Sequence, residues 1–292
     1  MNDDFVSGIE HHFDPQFFDR KCRNWGWFLR RLVKKSSIEN RENAEQIRDK
    51  QVLYLSNHLS HYDYLIQMYT LWSLALPIPR IAARENVFTP SLGKLWKKCG
   101  AFRLPFEAIN REKARNLKAH IKEIVDSGAS IMVYPEGGRS YDGRLKPLHL
   151  GIIKYVFESA AKKGIPMLVA PQHIAYSSVI EAPYFDEIRK HKELRNLKAY
   201  LKTDFRAFRH RFMQNLSPFA SNSVTHTFGE PFPLHECTHP REVAERARAS
   251  ILEMHETYQT EKQIARERLR TRQDSRAPSL RKALRYLESY LG

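Results

Sequence analysis

The chain has 292 residues, 42% of them hydrophobic and 28% charged, the balance of an ordinary folded protein with a substantial core. Forty-eight Lys and Arg against 33 Asp and Glu leave a net charge of +15, a field that attracts anionic lipid, an acidic carrier protein, a phosphorylated substrate or nucleic acid. Three widely spaced cysteines, Cys22, Cys99 and Cys237, exclude a disulfide framework and fit a reducing cytoplasm.

Residues 1–45 read as a basic, amphipathic helical leader. Asp3, Asp4, Glu10 and Asp14 deny it the basic-then-apolar layout of a secretory signal. From Arg20 to Lys35 there are seven basic residues and no acid, and on a helical wheel Trp25, Phe28, Leu29, Leu32 and Val33 gather on one face. Two readings stay open: an interfacial helix lying among lipid headgroups, or a helix docked on the protein's own core with its basic side in water.

Residues 46–240 alternate short apolar runs with helical stretches. Strands are predicted near 51–56, 79–83, 130–134, 166–171 and 223–228, and helices near 64–75, 112–126, 150–163 and 240–258. That alternation predicts an α/β fold with a mixed, largely parallel sheet covered by helices. Residues 185–212 form a second basic stretch, from Arg189 to Arg211, with Tyr200, Phe205, Phe208 and Phe212 interleaved. It reads as a solvated helix face, with docking to lipid or carrier protein as the functional alternative. Residues 241–292 read as a basic helical extension, interrupted at Pro278. The longest apolar candidates, Tyr64–Pro79 and Ile165–Ile180, both contain polar residues and proline. If the protein meets a membrane, the expectation is that it lies on it.

Two short blocks carry chemistry. Asn57-His58-Leu59-Ser60-His61-Tyr62-Asp63 follows the apolar run Val52–Leu55, which sets His58 and Asp63 five residues apart at a strand end. A carboxylate bonded to one imidazole nitrogen fixes the tautomer and leaves the other nitrogen as a base. Tyr134-Pro135-Glu136-Gly137-Gly138-Arg139-Ser140 follows the run Ile131–Val133. Its glycines allow close backbone approach to an anion, and Arg139 is a candidate bidentate phosphate clamp. His61 with His58 and Asp63 raises a zinc reading, but the spacing is not a strong ligand pattern, so no metal is expected. Cys99 has no adjacent base and reads as a small buried residue.

These blocks resemble the glycerolipid acyltransferases, the glycerol-3-phosphate and lysophosphatidate acyltransferase superfamily. Asn57, His58, Ser60 and Asp63 match its N-H-x-S-x-x-D block, and Glu136, Gly137, Gly138, Arg139 and Ser140 match its E-G-(G/T)-R-S block. Gly100-Ala101-Phe102, Leu168-Val169-Ala170-Pro171 and Gly229-Glu230-Pro231 match lesser features, so the resemblance covers about residues 50–232. The double glycine and the run Ile81–Asn86 lean toward the glycerol-3-phosphate branch.

The resemblance implies that His58 is the general base and Asp63 its orienting carboxylate. It also implies that Glu136, Gly137, Gly138, Arg139 and Ser140 bind the acceptor. The family's arginine after Gly-Ala-Phe is replaced by Phe106, so Arg103 and Arg111 are the candidates for its phosphate contact. Where the family often reads Pro-Phe-Lys-x-Gly, this chain has Pro147-Leu148-His149-Leu150-Gly151.

The implied reaction moves a fatty acyl group from acyl-CoA or acyl carrier protein to glycerol-3-phosphate at the cytoplasmic face of an anionic membrane, without a cofactor. Acylation of a lyso-lipid is the alternative within the class. From other classes, the charge allows a nucleic-acid-binding protein or a non-catalytic membrane-surface scaffold. No helix-turn-helix, zinc or single-strand signature supports nucleic acid, which is not an expected partner.

Overall fold

The computed structural model describes residues 12–84, 93–104, 111–193, 197–217, 220 and 222–264. Phe106, Glu85, Asn86, Pro278 and the side chain of Tyr200 lie outside the described residues. Two compact units divide the chain, residues 1–251 and 252–292. The described part of the second, 252–264, is helical.

The first unit is built on one sheet. Its strands are β1 (Lys35–Glu39), β2 (Gln51–Ser56), β3 (Arg80–Arg84), β4 (Ala101–Leu104), β5 (Ile131–Val133), β6 (Met167–Tyr176), β7 (Ser223–Phe228) and β8 (Phe232–Pro233). The order across the sheet is β1-β7-β6-β2-β5-β3-β4, with β8 also on β6. All neighbours are parallel except β6 with β7 and with β8. The α/β class and the largely parallel, mixed sheet expected from the alternation of runs are therefore both present.

Strand β2 lies at the centre because it is apolar on both faces, as a strand covered by helices on either side must be. Val52 and Tyr54 enter one face of the core, and Leu53 and Leu55 enter the other. The first face is covered by α1 (Pro15–Leu32) and α3 (Asp63–Ser73), with α2 (Arg41–Gln46) supplying Ala44. The second is covered by α5 (Arg111–Asp126) and α6 (Gly151–Ala161), and the short α4 (Gly93–Lys98) leads into β4.

The chain leaves β2 for α3 on one face and leaves β5 for α6 on the other. Neighbouring strands whose exits diverge in this way open a crevice at their carboxyl ends, where open α/β sheets bind ligands. Both motif blocks stand at that crevice.

Helix α1 starts because Asp14 accepts a hydrogen bond from the Phe17 N–H at 2.9 Å and Pro15 occupies the first turn. Its apolar stripe packs inward: Phe18, Cys22, Leu29 and Leu32 are buried, and Trp25 and Phe28 are half-buried. For this stripe the core-docked reading holds, because its apolar residues join the buried clusters against the sheet.

The expected boundary at 45/46 separates nothing, since β1 belongs to the sheet through five register pairs with β7, from Lys35 with Ser223 to Glu39 with Thr227. Sequence reading misses β1 because an edge strand is largely solvated, and Lys-Ser-Ser-Ile-Glu carries no apolar run. The second basic stretch folds as α7 (Phe185–Glu193) and α8 (Leu197–Gln214). Lys202, Arg206 and Arg209 are exposed as expected, but Thr203, Ala207 and Arg211 turn inward.

Candidate active site

His58 sits two residues beyond β2, and Asp63 is the first residue of α3. The tight connection between them folds back so that Asp63 Oδ2 accepts three hydrogen bonds. They come from His58 Nδ1 at 2.8 Å and from the N–H groups of Leu59 and Ser60 at 2.7 and 2.9 Å. The other oxygen, Oδ1, accepts from the Tyr176 hydroxyl at 2.6 Å.

Asp63 is fully buried, whereas 17% of the His58 side chain stays exposed. With Nδ1–H held by the carboxylate, Nε2 is the basic nitrogen of the pair. Burial lowers the His58 pKa below its usual range, with Arg139 and His61 adding to the effect and Asp63 opposing it. The ring is therefore neutral at pH 7, the state a base requires.

Tyr134, at the end of β5, stacks on the imidazole with centroids 4.5 Å apart. Its hydroxyl donates to Gln67 Oε1 at 2.7 Å, and Gln67 in turn holds Ser56 and Gln172. Asn57 fills the place beside β6 by pairing with both the N–H and the carbonyl of Ile174, at 2.7 and 2.9 Å. The asparagine of the first block thus anchors the loop, leaving the next residue to face the crevice.

The second block is laced to the first. Glu136 Oε1 accepts from the His58 backbone N–H at 3.1 Å and Oε2 from the Lys146 backbone N–H at 3.0 Å. Burial pushes the Glu136 carboxyl up, partly offset by those two N–H groups. The Ser140 N–H donates to the His58 carbonyl at 2.7 Å, and its hydroxyl donates to Asp142 at 3.0 Å.

Gly137 adopts φ +67°, and a Cβ there would stand 2.6 Å from His149 Cδ2. Its freedom therefore admits the His149 ring, and the Pro135 carbonyl fixes His149 in place by accepting from its backbone N–H at 2.7 Å. Gly138 lies in the same turn and is half-buried.

Arg139 points inward. Nη1 donates to Glu181 Oε1 at 3.0 Å and lies 3.8 Å from Asp204 Oδ1. Glu181 also accepts from the Ser60 hydroxyl and the His61 N–H, each at 2.7 Å. Asp204 Oδ2 is 2.6 Å from His61 Nδ1. Burial pushes the Asp204 carboxyl up, but His61 and Arg139 outweigh it and hold the pKa below the usual range.

Ligand atoms of His61, Glu181 and Asp204 lie within 4.8 Å of one another, a spacing a metal ion could use. The Arg139 guanidinium already supplies a cation to both carboxylates. The zinc reading, which joined His61 to His58 and Asp63, does not describe this trio.

Of the sequence-derived candidates, His58, Asp63, Glu136, Arg139 and Ser140 converge with the two glycines. Arg103 stands on β4, separated from β2 by β5 and β3, and Arg111 is exposed at the start of α5. Burial raises the Cys99 thiol to about 12, so it is no nucleophile.

Tyr176, Glu181, Asp204 and Gln67 escape sequence reading. A faint signal existed for Glu181, an acid directly after the apolar pair Val179-Ile180.

Residues 35–175 match the family model described as Acyltransferase. A glycerol-3-phosphate acyltransferase of Alteromonas mediterranea is 30% identical over 205 residues, which are 66% of this chain and 24% of that protein. One from Pseudoalteromonas atlantica is 34% identical over 143 residues, 48% of this chain and 18% of that protein. The chain thus spans a quarter or less of the length of these curated relatives. The solved 1-acyl-sn-glycerophosphate (LPA) acyltransferase PlsC of Thermotoga maritima shares the fold, with a TM-score of 0.51 and 15% identity over 82% of this chain and 79% of that one.

Proposed function

Because this chain belongs to the glycerolipid acyltransferase superfamily, we propose that it moves a fatty acyl group from a thioester to the hydroxyl of glycerol-3-phosphate. The observation that carries the reading is the His58–Asp63 pair, tied to Glu136 of the neighbouring strand's motif. The donor is acyl-CoA or acyl carrier protein, and no metal or organic cofactor takes part.

The acceptor oxygen attacks the thioester carbonyl while its proton passes to His58 Nε2. Asp63 stabilises the imidazolium so formed. The tetrahedral intermediate collapses by breaking the C–S bond, and the imidazolium proton goes to the departing thiolate. No acyl-enzyme forms. A positioned base supplies about 10²–10⁴ in rate, and holding the acceptor against it can supply ~7–11 kcal/mol more. Gly137, Gly138 and Ser140 shape the acceptor's side of the crevice. Arg139 is engaged by Glu181 and Asp204, so the charge that meets the acceptor's phosphate is sought in either Arg103 or Arg111, the arginines flanking Phe106.

The protein acts at an anionic membrane surface on the cytoplasmic side, and the support for this is a patch shared by α1 and α8. Trp27, Phe205, Met213 and Leu216 are 46–65% exposed. Ring contacts link Trp27 through Phe212 and Phe208 to Phe205. Arg31 lies over Trp27, and Arg30, Lys202, Arg206 and Arg209 are close by in sequence. Aromatics ringed by cations suit an anionic headgroup layer. No helix among the described residues is long and apolar enough to cross a membrane.

The test is thiol release from palmitoyl-CoA and from palmitoyl carrier protein, with glycerol-3-phosphate or lysophosphatidate as acceptor. Release that requires glycerol-3-phosphate and vanishes in His58→Ala supports the reading. Release with lysophosphatidate alone transfers it to the lyso-lipid reaction, and no release with any pairing overturns it.

A further inference from the structure

A ligand-sized space lies at the end of the sheet opposite His58. A cavity of about 380 Å³ lies where β3 and β5 begin, among Phe13, Phe18, Trp72, Pro77 and Ile78, with Arg80, Lys50 and Asp19 as its charged groups. Lys50 precedes β2 and His58 follows it, so a six-residue strand, about 20 Å at 3.3 Å per residue, separates this cavity from the active site. The volume falls within the range of small-molecule sites.

Arg80 gives the cavity its chemistry. Its guanidinium lies 4.0 Å from the centroid of the Phe13 ring. Nη1 reaches the Ile78 carbonyl only at 3.4 Å, and Nε is buried without a hydrogen bond. Among the described residues no carboxylate forms an ion pair with it. Asp19, the acid of the cavity, is engaged elsewhere, accepting from Trp72 Nε1 at 3.0 Å and from Arg23 Nε at 2.8 Å. Burial accordingly lowers the Arg80 pKa to about 10.

A half-buried cation with vacant donors is costly, and folded proteins ordinarily offset it with an anion. The glycine of Gly100-Ala101-Phe102 belongs to the same arrangement. At φ +89° its missing Cβ would stand 3.3 Å from Phe13 Cδ2 and 3.4 Å from Arg80 Cδ. Glycine at this position lets the ring and the guanidinium come together.

We propose that this cavity binds a small anion with an apolar body, a carboxylate or phosphate monoester whose oxygens pair with the terminal nitrogens of the Arg80 guanidinium. Phe13, Phe18 and Trp72 enclose the body, and Lys50 at the rim adds a second cation. An oxyanion matches the guanidinium fork in a way a halide or an alcohol does not.

The experiment is calorimetric titration of the full chain with phenyl phosphate, repeated with benzyl alcohol, which has a similar body and no charge. The expected result is saturable binding of phenyl phosphate, weakened at least tenfold in Arg80→Gln and unchanged in His58→Ala, with no binding of the alcohol. Phe13→Leu, which keeps the charge and removes the stacked ring, is expected to weaken binding too and serves if Arg80→Gln does not fold. Three results would overturn the proposal: no saturable binding up to about 10 mM, weaker than the millimolar affinity worth ~4 kcal/mol; binding that survives both variants; or binding that His58→Ala abolishes. Binding gained only after Asp3→Asn, Asp4→Asn and Glu10→Gln would make the chain's own carboxylates the occupant and overturn it as well.

Discussion

Arg139 and Glu181, 42 residues apart in the chain, form a buried ion pair with Nη1 and Oε1 3.0 Å apart. The same carboxylate holds the Ser60 hydroxyl and the His61 N–H. One acid therefore ties the two motif blocks together from below the crevice. Removing one partner of such a pair leaves the other charged and buried. Glu181→Gln is expected to lower stability by ~3 kcal/mol, near the low end because Asp204 remains beside Arg139. Urea unfolding checks the loss, and a fall in kcat with little change in the KM for the thioester checks that the pair positions the loops.

Asp63 fixes the tautomer of His58, and the pH profile reads that role. The free-enzyme pKa of His58 lies below 6.5 because burial dominates its environment. Activity should rise as pH rises through that value, giving kcat/KM an acid limb with its inflection below 6.5. Asp63→Asn removes the one group that raises the pKa, so the limb should move to lower pH. The plateau should fall about 10²–10⁴-fold as the orientation of the base is lost. A variant with an unmoved limb would show that another group controls it.

Gly137 and His149 occupy one space. Gly137→Ala puts a side chain at φ +67° and a Cβ 2.6 Å from the imidazole. The strained backbone alone costs about 1–2 kcal/mol, and the clash adds to it. Adding His149→Ala should relieve the clash and leave the backbone cost, which thermal unfolding of Gly137→Ala, His149→Ala and the double variant separates.

His226 is expected to make the fold sensitive to acid. It is fully buried on β7, stacked on Phe228 with centroids 4.5 Å apart, and neither ring nitrogen has a hydrogen bond. Burial, with His173 adding to it, lowers its pKa to about 3. The unfolded chain binds a proton there below its ordinary value of 6.5, while the folded chain stays neutral down to about 3. Its contribution is thus complete above pH 6.5 and is lost as pH falls toward 3, at ~1.4 kcal/mol per pH unit. His226→Leu should remove that slope, as urea midpoints at about pH 7, 6 and 5, on either side of the unfolded value, would record. Parallel wild-type and variant curves would overturn the assignment.

Much of the sheet is legible in the sequence because its central strands are apolar on both faces. The runs near 51–56, 130–134 and 223–228 coincide with β2, β5 and β7 to within a residue or two. β1 and β4 are not legible, one because it is a polar edge and the other because four residues after a glycine carry too little pattern. The α1 stripe shows a different limit: periodicity marks an apolar face but not what covers it. Leu32 meets the protein's core, while Trp27, on another face, meets solvent.

The acid–base pair is encoded locally. His58 and Asp63 are five residues apart, so a single tight connection at the end of β2 suffices to bring them to 2.8 Å. Their surroundings come from folding the whole sheet. β5 inserts beside β2, which sets Glu136 against the His58 backbone 78 residues away. Tyr176 reaches Asp63 across 113 residues and Glu181 reaches Ser60 across 121. Such contacts depend on strand order and register, which arise from burying both faces of the sheet at once. No local pattern of residues encodes them.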